Sequence, residues 1–164
     1  PTRRSSDLEV KLIIAPHVID ENHLVEIIRK LKRPYVRYTR ADEKNVRKAD
    51  CLIVDCFGLL SSIYRYGEIA YIGGGFGVGI HNTLEAAVYG IPVIFGPKYQ
   101  KFQEAVQLLE AKGAFSVKDY EELKTLLDRM LTDEVFLRES GMNASNYVTG
   151  NAGATDKIMS MINF

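Results

Sequence analysis

The sequence predicts an α/β fold, with a parallel β-sheet that carries helices on both faces. Short apolar segments alternate along the chain with segments of helical periodicity, as expected for parallel strands joined by crossover helices. The apolar segments are continuous, as in Cys-Leu-Ile-Val at 51–54, and such strands are typical of sheets buried on both faces. A loop with glycines at 73, 74, 75, 77 and 79 joins one strand to a helix.

The first part of the chain contains three predicted strands. Residues 10–15 are apolar and end at Pro16, and residues 35–38 and 51–55 form the second and third strands. Apolar residues at 24, 27, 28 and 31 predict a helix over 20–31 with Asp20 as its N-cap. The charged residues 41–48 predict a loop, and residues 59–66 a short helix.

The second part repeats the alternation around the glycine loop. Strands are predicted at 69–72, 92–95 and 115–117. Helices are predicted from Asn82 to Gly90, over 102–111 with Gly113 closing the helix, and over 119–131. The tail, residues 133–164, is predicted to be helical in two pieces, broken near Gly150 and Gly153.

The bulk composition excludes several classes of protein. With 164 residues, 46% of them apolar, the chain can bury the core of one domain, which we expect at 10–164. The polar residues 1–9 are expected to be a disordered segment or linker remnant, and the start at Pro1 indicates a piece of a longer protein. Twenty-one basic residues balance twenty-one acidic ones, so no nucleic-acid partner is expected. The basic cluster at 29–40 is interpreted as a solvated helix end rather than an RNA site.

Metal, disulfide and membrane-spanning chemistry lack support in the sequence. The three histidines and two cysteines are not at metal-ligand spacings, and Cys51 and Cys56 flank one strand, where a bridge is sterically unfavourable. No apolar segment has the roughly 18 residues of a membrane span. P-loop and nucleophile-elbow motifs are absent, which argues against nucleotide hydrolysis of that kind and against a serine hydrolase.

Three loops follow predicted strands and carry candidate ligand-binding residues. They are Pro16-His17, Phe57-Gly58-Leu59 and the segment from Gly73 to Asn82. Ligands of open α/β sheets bind outside the carboxyl ends of the strands, so we expect these loops to converge on one crevice. Glycines permit close approach of a phosphate or nucleotide to the backbone, and His81 is either a phosphate donor or a packing residue.

The segment from Asn82 to Glu85 supports two interpretations. The spacing is that of a capping box, in which both side chains satisfy backbone groups at a helix start. Alternatively, Asn82 caps the helix and the carboxylate of Glu85 accepts hydrogen bonds from ribose hydroxyls. Lys98 and Lys101 follow another predicted strand and are either an anion contact or solvated side chains.

Several segments resemble the C-terminal half of the 3-deoxy-D-manno-octulosonic acid (Kdo) transferases. That family has a Gly-Gly loop, then His-Asn-x-x-Glu and Gly-x-Pro-Val-x-x-Gly-Pro, matched here within 73–85 and 90–97. Residues 54–59 with Tyr64 resemble a family segment around Asp-x-x-Gly-Glu-Leu, although Leu59 stands where the family has glutamate. Residues 14–17 resemble a strand that ends in Pro-Arg-His in the family, here without the arginine, and Ile80 replaces a glycine common among relatives.

The resemblance implies a GT-B glycosyltransferase, with this chain as its Rossmann-like, donor-binding half. The family transfers Kdo from CMP-Kdo to a lipid A precursor in lipopolysaccharide biosynthesis, at the cytoplasmic face of the bacterial inner membrane, without a metal or cofactor. The catalytic base, the acceptor site and the membrane anchor belong to the N-terminal half, so the fragment is expected to bind donor without turnover and to hold no catalytic residue.

Residue by residue, the resemblance implies a site for CMP-Kdo. Pro16 and His17 would border the cytosine, and Phe57, Gly58 and Leu59 would line the nucleotide. Asn82, Thr83, Leu84 and Glu85 would hold the phosphate and ribose, and the other residues of the implied CMP-Kdo site are Gly74, Gly75 and His81. Lys98 or Lys101 could neutralise the anionic donor. Two alternatives stay open: a GT-B transferase or epimerase that uses a UDP-sugar, and a non-catalytic nucleotide-binding or interaction domain.

Overall fold

The structure, a computed structural model, describes residues 10–153 and 159–160. The predicted linker at 1–9 and most of the tail beyond 153 lie outside the described residues. The contacts of the chain separate two compact units, a first that ends at Ile63 and a second that begins at Tyr64. Each unit contains a three-stranded parallel sheet with helices in its connections, which confirms the α/β class.

The first unit has its third strand in the middle of the sheet. The strand order is β1-β3-β2, with all pairs parallel. Its elements are β1 (Leu12–Ile14), α1 (Glu21–Lys30), β2 (Tyr35–Arg37), α2 (Glu43–Val46), β3 (Cys51–Ile53) and α3 (Leu60–Ile63). Leu24 of α1 packs on Cys51 and Ile53, because the apolar stripe of α1 covers one face of the sheet.

Capping side chains set the helix starts of the first unit. The Asp20 carboxylate accepts from the backbone N–H groups of Asn22 and His23 at 2.9 and 3.1 Å, so the predicted N-cap is confirmed. The prediction of a loop over 41–48 was wrong. Asp42 and Asn45 form a reciprocal capping box there, which stabilises the single helical turn of α2.

The second unit has strand order β4-β5-β6, again parallel. Its elements are β4 (Ala70–Ile72), α4 (Leu84–Ala87), β5 (Val93–Phe95), α5 (Gln103–Glu110), β6 (Ala114–Ser116), α6 (Tyr120–Thr132) and α7 (Glu134–Asn151). The central strand β5 is fully buried, as its continuous apolar sequence predicts. Val93 and Phe95 pack in one core, and Ile94 between them packs with Met130 on the opposite face.

Two helices of the second unit end close to the glycines at which the sequence predicts their ends. Gly113 closes α5 as predicted, because its N–H donates to the carbonyl of Leu108 at 2.9 Å, and the residue with left-handed backbone is the preceding Lys112, with φ of 59°. Helix α7 ends at Asn151, between Gly150 and Gly153, which agrees with the predicted break near these glycines.

Small residues allow α7 to lie close to the backbone of the same unit. A Cβ atom on Gly141 would collide with the carbonyl oxygen of Gly90. A Cβ atom on Gly113 would lie 2.6 Å from the backbone nitrogen of Ala144 in α7. Among the described residues, no helix is both long and apolar enough to span a bilayer. Both cysteines are free thiols.

Candidate functional site

Two of the predicted ligand loops leave neighbouring strands at one edge of the first sheet. Pro16 and His17 follow β1, and Phe57, Gly58 and Leu59 follow β3, which pairs with β1. The Phe57 ring is 80% exposed, and Gly58 has φ of +85° with open space where a Cβ would be. The edge therefore presents an uncovered aromatic ring beside a backbone that side chains do not obstruct.

A buried ionic network at the same edge was not predicted from the sequence. The Asp55 side chain is 1% exposed and accepts hydrogen bonds from Arg37 Nε at 2.7 Å and from Thr39 Oγ1 at 2.6 Å. The backbone N–H of Thr39 donates to the other carboxylate oxygen of Asp55, Oδ1, at 2.9 Å. Arg37 Nη1 also donates to both carboxylate oxygens of Glu21 in α1, at 2.8 and 2.9 Å.

The hydrogen bonds keep Asp55 ionised despite its burial. Burial alone would raise the pKa of Asp55, but the bonds from Thr39 and Arg37 outweigh it and lower the pKa to about 2. The pKa of Arg37 is raised, first by the hydrogen bond to Glu21 and then by that to Asp55. Asp55 immediately precedes the loop that contains Phe57, so the network fixes the start of that loop.

In the second unit, the glycine loop packs tightly on its own chain. A Cβ on Gly75 would lie 2.6 Å from the backbone nitrogen of Gly96, and a Cβ on Gly79 would lie 2.9 Å from the Phe102 ring. Gly74 has φ of +88°, and its Cβ would collide with the carbonyl oxygen of Gly79. These glycines are therefore required by the fold itself, whether or not a ligand approaches.

Two glycines of the loop have room for a side chain. A Cβ on Gly73 or on Gly77 would make only ordinary contacts, the nearest at 3.9 and 3.5 Å, and neither residue has a positive φ. Both are exposed. Packing within the protein therefore accounts for glycine at the predicted positions Gly74 and Gly75, but it does not account for glycine at Gly73 and Gly77.

Asn82 and Glu85 are joined by a side-chain hydrogen bond. Asn82 Oδ1 accepts from the backbone N–H of Leu84 at 2.9 Å, and Asn82 Nδ2 donates to Glu85 Oε1 at 3.0 Å. Helix α4 thus begins at Leu84, two residues later than predicted. The half-buried Glu85 makes no other hydrogen bond to a residue that the structure describes. The predicted capping box does not form, because the Glu85 carboxylate accepts from the Asn82 side chain and from no backbone N–H of a described residue. The ribose contact stays a prediction, with Glu85 Oε2 making no hydrogen bond to a described residue.

The other predicted residues around the loop differ in accessibility. The Thr83 hydroxyl is buried and has no hydrogen-bond partner within the described chain, and Leu84 is 36% exposed. His81 is exposed, and its backbone N–H donates to the carbonyl of Gly73 at 3.3 Å. Lys98 and Lys101 are exposed beyond the carboxyl end of β5, and the Lys98 backbone N–H donates to the Gly75 carbonyl at 2.9 Å.

No cluster of three potential metal ligands occurs within residues 10–153 and 159–160. The three predicted loops are divided between the two units, with two in the first and one in the second. That they form one crevice stays a prediction.

Comparisons with known proteins identify relatives, although no family model matches the chain. The Kdo transferase of Aquifex aeolicus is 38% identical over 125 residues, 75% of this chain and 34% of that protein. The Kdo transferase of Rickettsia bellii is 33% identical over 116 residues, 69% of this chain and 28% of that protein. The chain thus spans about a third of the length of the curated relatives that it matches.

A solved structure supports the fold. The crystal structure of the C-terminal CMP-Kdo binding domain of WaaA from Acinetobacter baumannii matches 83% of this chain and 72% of that chain, with a TM-score of 0.71. Its 20% sequence identity limits this likeness to the fold. The sequence identity to the Aquifex and Rickettsia enzymes over more than two thirds of this chain shows that the chain belongs to the Kdo transferase family, of whose full length it spans about a third.

Proposed function

We propose that the chain is the donor-binding part of a Kdo transferase and that it binds CMP-Kdo. The observation that carries this proposal is the 38% identity to the Aquifex aeolicus Kdo transferase over three quarters of the chain. The fold of the Acinetobacter baumannii domain, whose structure is described as CMP-Kdo binding, supports the same function. The parent protein would transfer Kdo from CMP-Kdo to a lipid A precursor in lipopolysaccharide biosynthesis.

Glu85 is the proposed contact for the ribose. Its carboxylate is half-buried, and the oxygen Oε2 makes no hydrogen bond to any described residue, so it can accept from ribose hydroxyls. A charge-assisted hydrogen bond of this kind contributes about 1.5–3 kcal/mol. Thr83 is a weaker candidate for ligand contact, because its hydroxyl is buried and a ligand could reach it only after local movement.

The remaining contacts are proposed unit by unit. In the first unit, Pro16 and His17 would border the cytosine, and the exposed Phe57 ring with Gly58 and Leu59 would line the nucleotide. In the second unit, the exposed Lys98 and Lys101 would face the two anionic groups of the donor, its phosphate and its sugar carboxylate. Lysine suits this role as a cation with three donors on a flexible side chain.

The catalytic base, the lipid acceptor site and the attachment to the inner membrane are proposed to belong to the part of the enzyme outside this chain. The chain matches about a third of the length of its relatives, so donor binding without turnover is the activity expected of it. The parent enzyme would act at the cytoplasmic face of the inner membrane. Since the family implies neither metal nor cofactor, donor binding is expected to be insensitive to chelators.

Calorimetric titration with CMP and with UDP tests this function. CMP should bind and UDP should bind more weakly or not at all, because UDP presents the wrong base and a second phosphate. A preference for UDP would instead favour a transferase or epimerase that uses a UDP-sugar. Failure to bind either nucleotide would overturn the proposed role of this chain.

Glu85→Gln tests the ribose contact. The variant should bind CMP more weakly by about 1–3 kcal/mol, because an amide is a weaker acceptor than a carboxylate. Glu110→Gln is the matched control, since Glu110 is exposed on α5 of the same unit and makes no ion pair with a described residue. Unchanged CMP affinity together with a lower melting temperature in Glu85→Gln would show that Glu85 only supports the helix start.

A further inference from the structure

We propose that Asn82 is a positioning residue, which orients the Glu85 carboxylate and affects the nucleotide only through it. The inference rests on the proposed function, because it takes the ribose of CMP as the ligand of Glu85. It differs from a direct contact of Asn82 with the phosphate, which the family resemblance alone would suggest.

The two hydrogen bonds of Asn82 fix the plane of its side-chain amide. The acceptor Oδ1 is bonded to the Leu84 N–H at 2.9 Å, and the donor Nδ2 is bonded to Glu85 Oε1 at 3.0 Å. An asparagine amide is planar, with its acceptor and donors at fixed positions, so one bond determines the direction of the other. The bond to the backbone of α4 therefore aims the second bond at Glu85.

This arrangement leaves the carboxylate oxygen Oε2 of Glu85 available to a ligand. The Leu84 N–H is already used by Asn82, and the Thr83 hydroxyl is buried. A phosphate could bond to the Leu84 N–H only by displacing Asn82 from it. By contrast, Glu85 Oε2 makes no hydrogen bond to a described residue, and a carboxylate oxygen accepts from hydroxyl donors such as a vicinal diol.

Asn82 would then determine discrimination between ribonucleotides and deoxyribonucleotides. A glutamate carboxylate rotates broadly about its last torsion unless one oxygen is held. With Oε1 bonded to Asn82, the direction of Oε2 is fixed before the ligand arrives, which reduces the ordering cost of binding. Loss of this bond should weaken only ligands that carry ribose hydroxyls.

The variants Asn82→Asp and Asn82→Gly separate positioning from capping. Aspartate keeps an acceptor for the Leu84 N–H but cannot donate to Glu85, and its charge repels that carboxylate. Glycine removes both bonds without a charge, and it is tolerated at helix N-caps at little cost. Calorimetric titrations with CMP and with 2′,3′-dideoxy-CMP, each on the wild-type chain, both variants, Glu85→Gln and the double variant Asn82→Gly/Glu85→Gln, form the experiment.

We expect both Asn82 variants to bind CMP about tenfold more weakly, roughly the effect of one hydrogen bond to a charged group. Their affinity for dideoxy-CMP should equal that of the wild-type chain, and Asn82→Gly should add nothing in the Glu85→Gln background. A merely structural role would weaken both ligands equally and would lower the melting temperature of Asn82→Gly. Equal weakening of both ligands, or additive losses in the double variant, would overturn the inference.

The outcomes distinguish this inference from the proposed function. If Glu85→Gln weakens CMP but neither Asn82 variant does, Asn82 has no positioning role, and the proposed function stands. If Glu85→Gln leaves CMP affinity unchanged, the proposed ribose contact is wrong, and the role of Asn82 fails with it.

Discussion

Gly75 and Gly96 pack backbone against backbone: a Cβ on Gly75 would lie 2.6 Å from the Gly96 nitrogen and 2.7 Å from its Cα. The Lys98 N–H donates to the Gly75 carbonyl at 2.9 Å beside this contact. The loop after β4 and the chain leaving β5 are thus held together. Any side chain on either glycine must push the two segments apart.

Gly75→Ala should therefore destabilise the protein by about 1–3 kcal/mol, the usual range for overpacking of a tightly packed site. Gly77→Ala is the matched control, because its Cβ would meet only the Gly74 carbonyl at an ordinary 3.5 Å. Urea unfolding of both variants, followed by circular dichroism, measures the difference. Equal stabilities would mean that the loop moves away from Gly96 at no cost.

The role of Gly75 in packing could not be predicted from the sequence. Glycines in a strand-to-helix loop indicate that something approaches the backbone closely, and the sequence does not say what approaches. In the structure, other parts of the same chain approach these glycines: Gly96 packs on Gly75, and the Phe102 ring packs on Gly79. Strand positions were predicted well, because continuous apolar segments such as β5 leave few alternatives to a buried strand.

The Arg37–Asp55 network could not be predicted from the sequence for a different reason. Its partners are separated by 18 residues and meet only because β2 and β3 pair in a register that places Arg37 opposite Ile53. No local spacing predicts that register. The short helix α2, by contrast, had a readable signal in the Asp-x-x-Asn capping box at Asp42 and Asn45, which its charged sequence obscured.

Removal of the buried member of this network should cost more than removal of the exposed one. Asp55→Ala leaves the guanidinium of Arg37, whose side chain is 14% exposed, without its buried partner, which should lower the free energy of unfolding by about 3 kcal/mol. Glu21→Ala removes a carboxylate that is 64% exposed, and its effect should stay below about 1 kcal/mol. Urea unfolding at neutral pH compares them, and similar losses would contradict the assigned burial.

The depressed pKa of Asp55 predicts acid sensitivity. The pKa falls from 3.8 to about 2 in the folded protein, so the ionised side chain stabilises the fold fully above the unfolded value. This contribution is lost as the pH falls from 3.8 through about 2, where the folded carboxyl becomes protonated. It amounts to about 2 kcal/mol.

Asp55→Asn isolates this titration from that of the other carboxyl groups. The difference in unfolding free energy between the wild-type chain and Asp55→Asn should shrink by about 2 kcal/mol between about pH 5 and about pH 2. Urea unfolding at several pH values in that range measures it. A difference independent of pH would show that Asp55 has the same pKa in both states.

The end of α5 offers a stabilising and a destabilising change at adjacent positions. Lys112 has φ of 59°, a conformation that costs a non-glycine residue about 1 kcal/mol. The helix ends in a Schellman motif, in which the Gly113 N–H donates to the Leu108 carbonyl and the Lys112 N–H donates to the Leu109 carbonyl. Lys112→Gly should therefore raise the free energy of unfolding by about 1 kcal/mol, because glycine adopts positive φ freely.

Gly113→Ala should act in the opposite direction, since its Cβ would lie 2.6 Å from the backbone of Ala144 in α7. A loss of about 2 kcal/mol or more is expected, because a backbone contact cannot be relieved by a rotamer change. Thermal and urea unfolding of the two variants test the pair. If Gly113→Ala were neutral and Lys112→Gly destabilising, the glycine conformation would be needed one residue later than the structure places it, and α7 would pack less closely on β6.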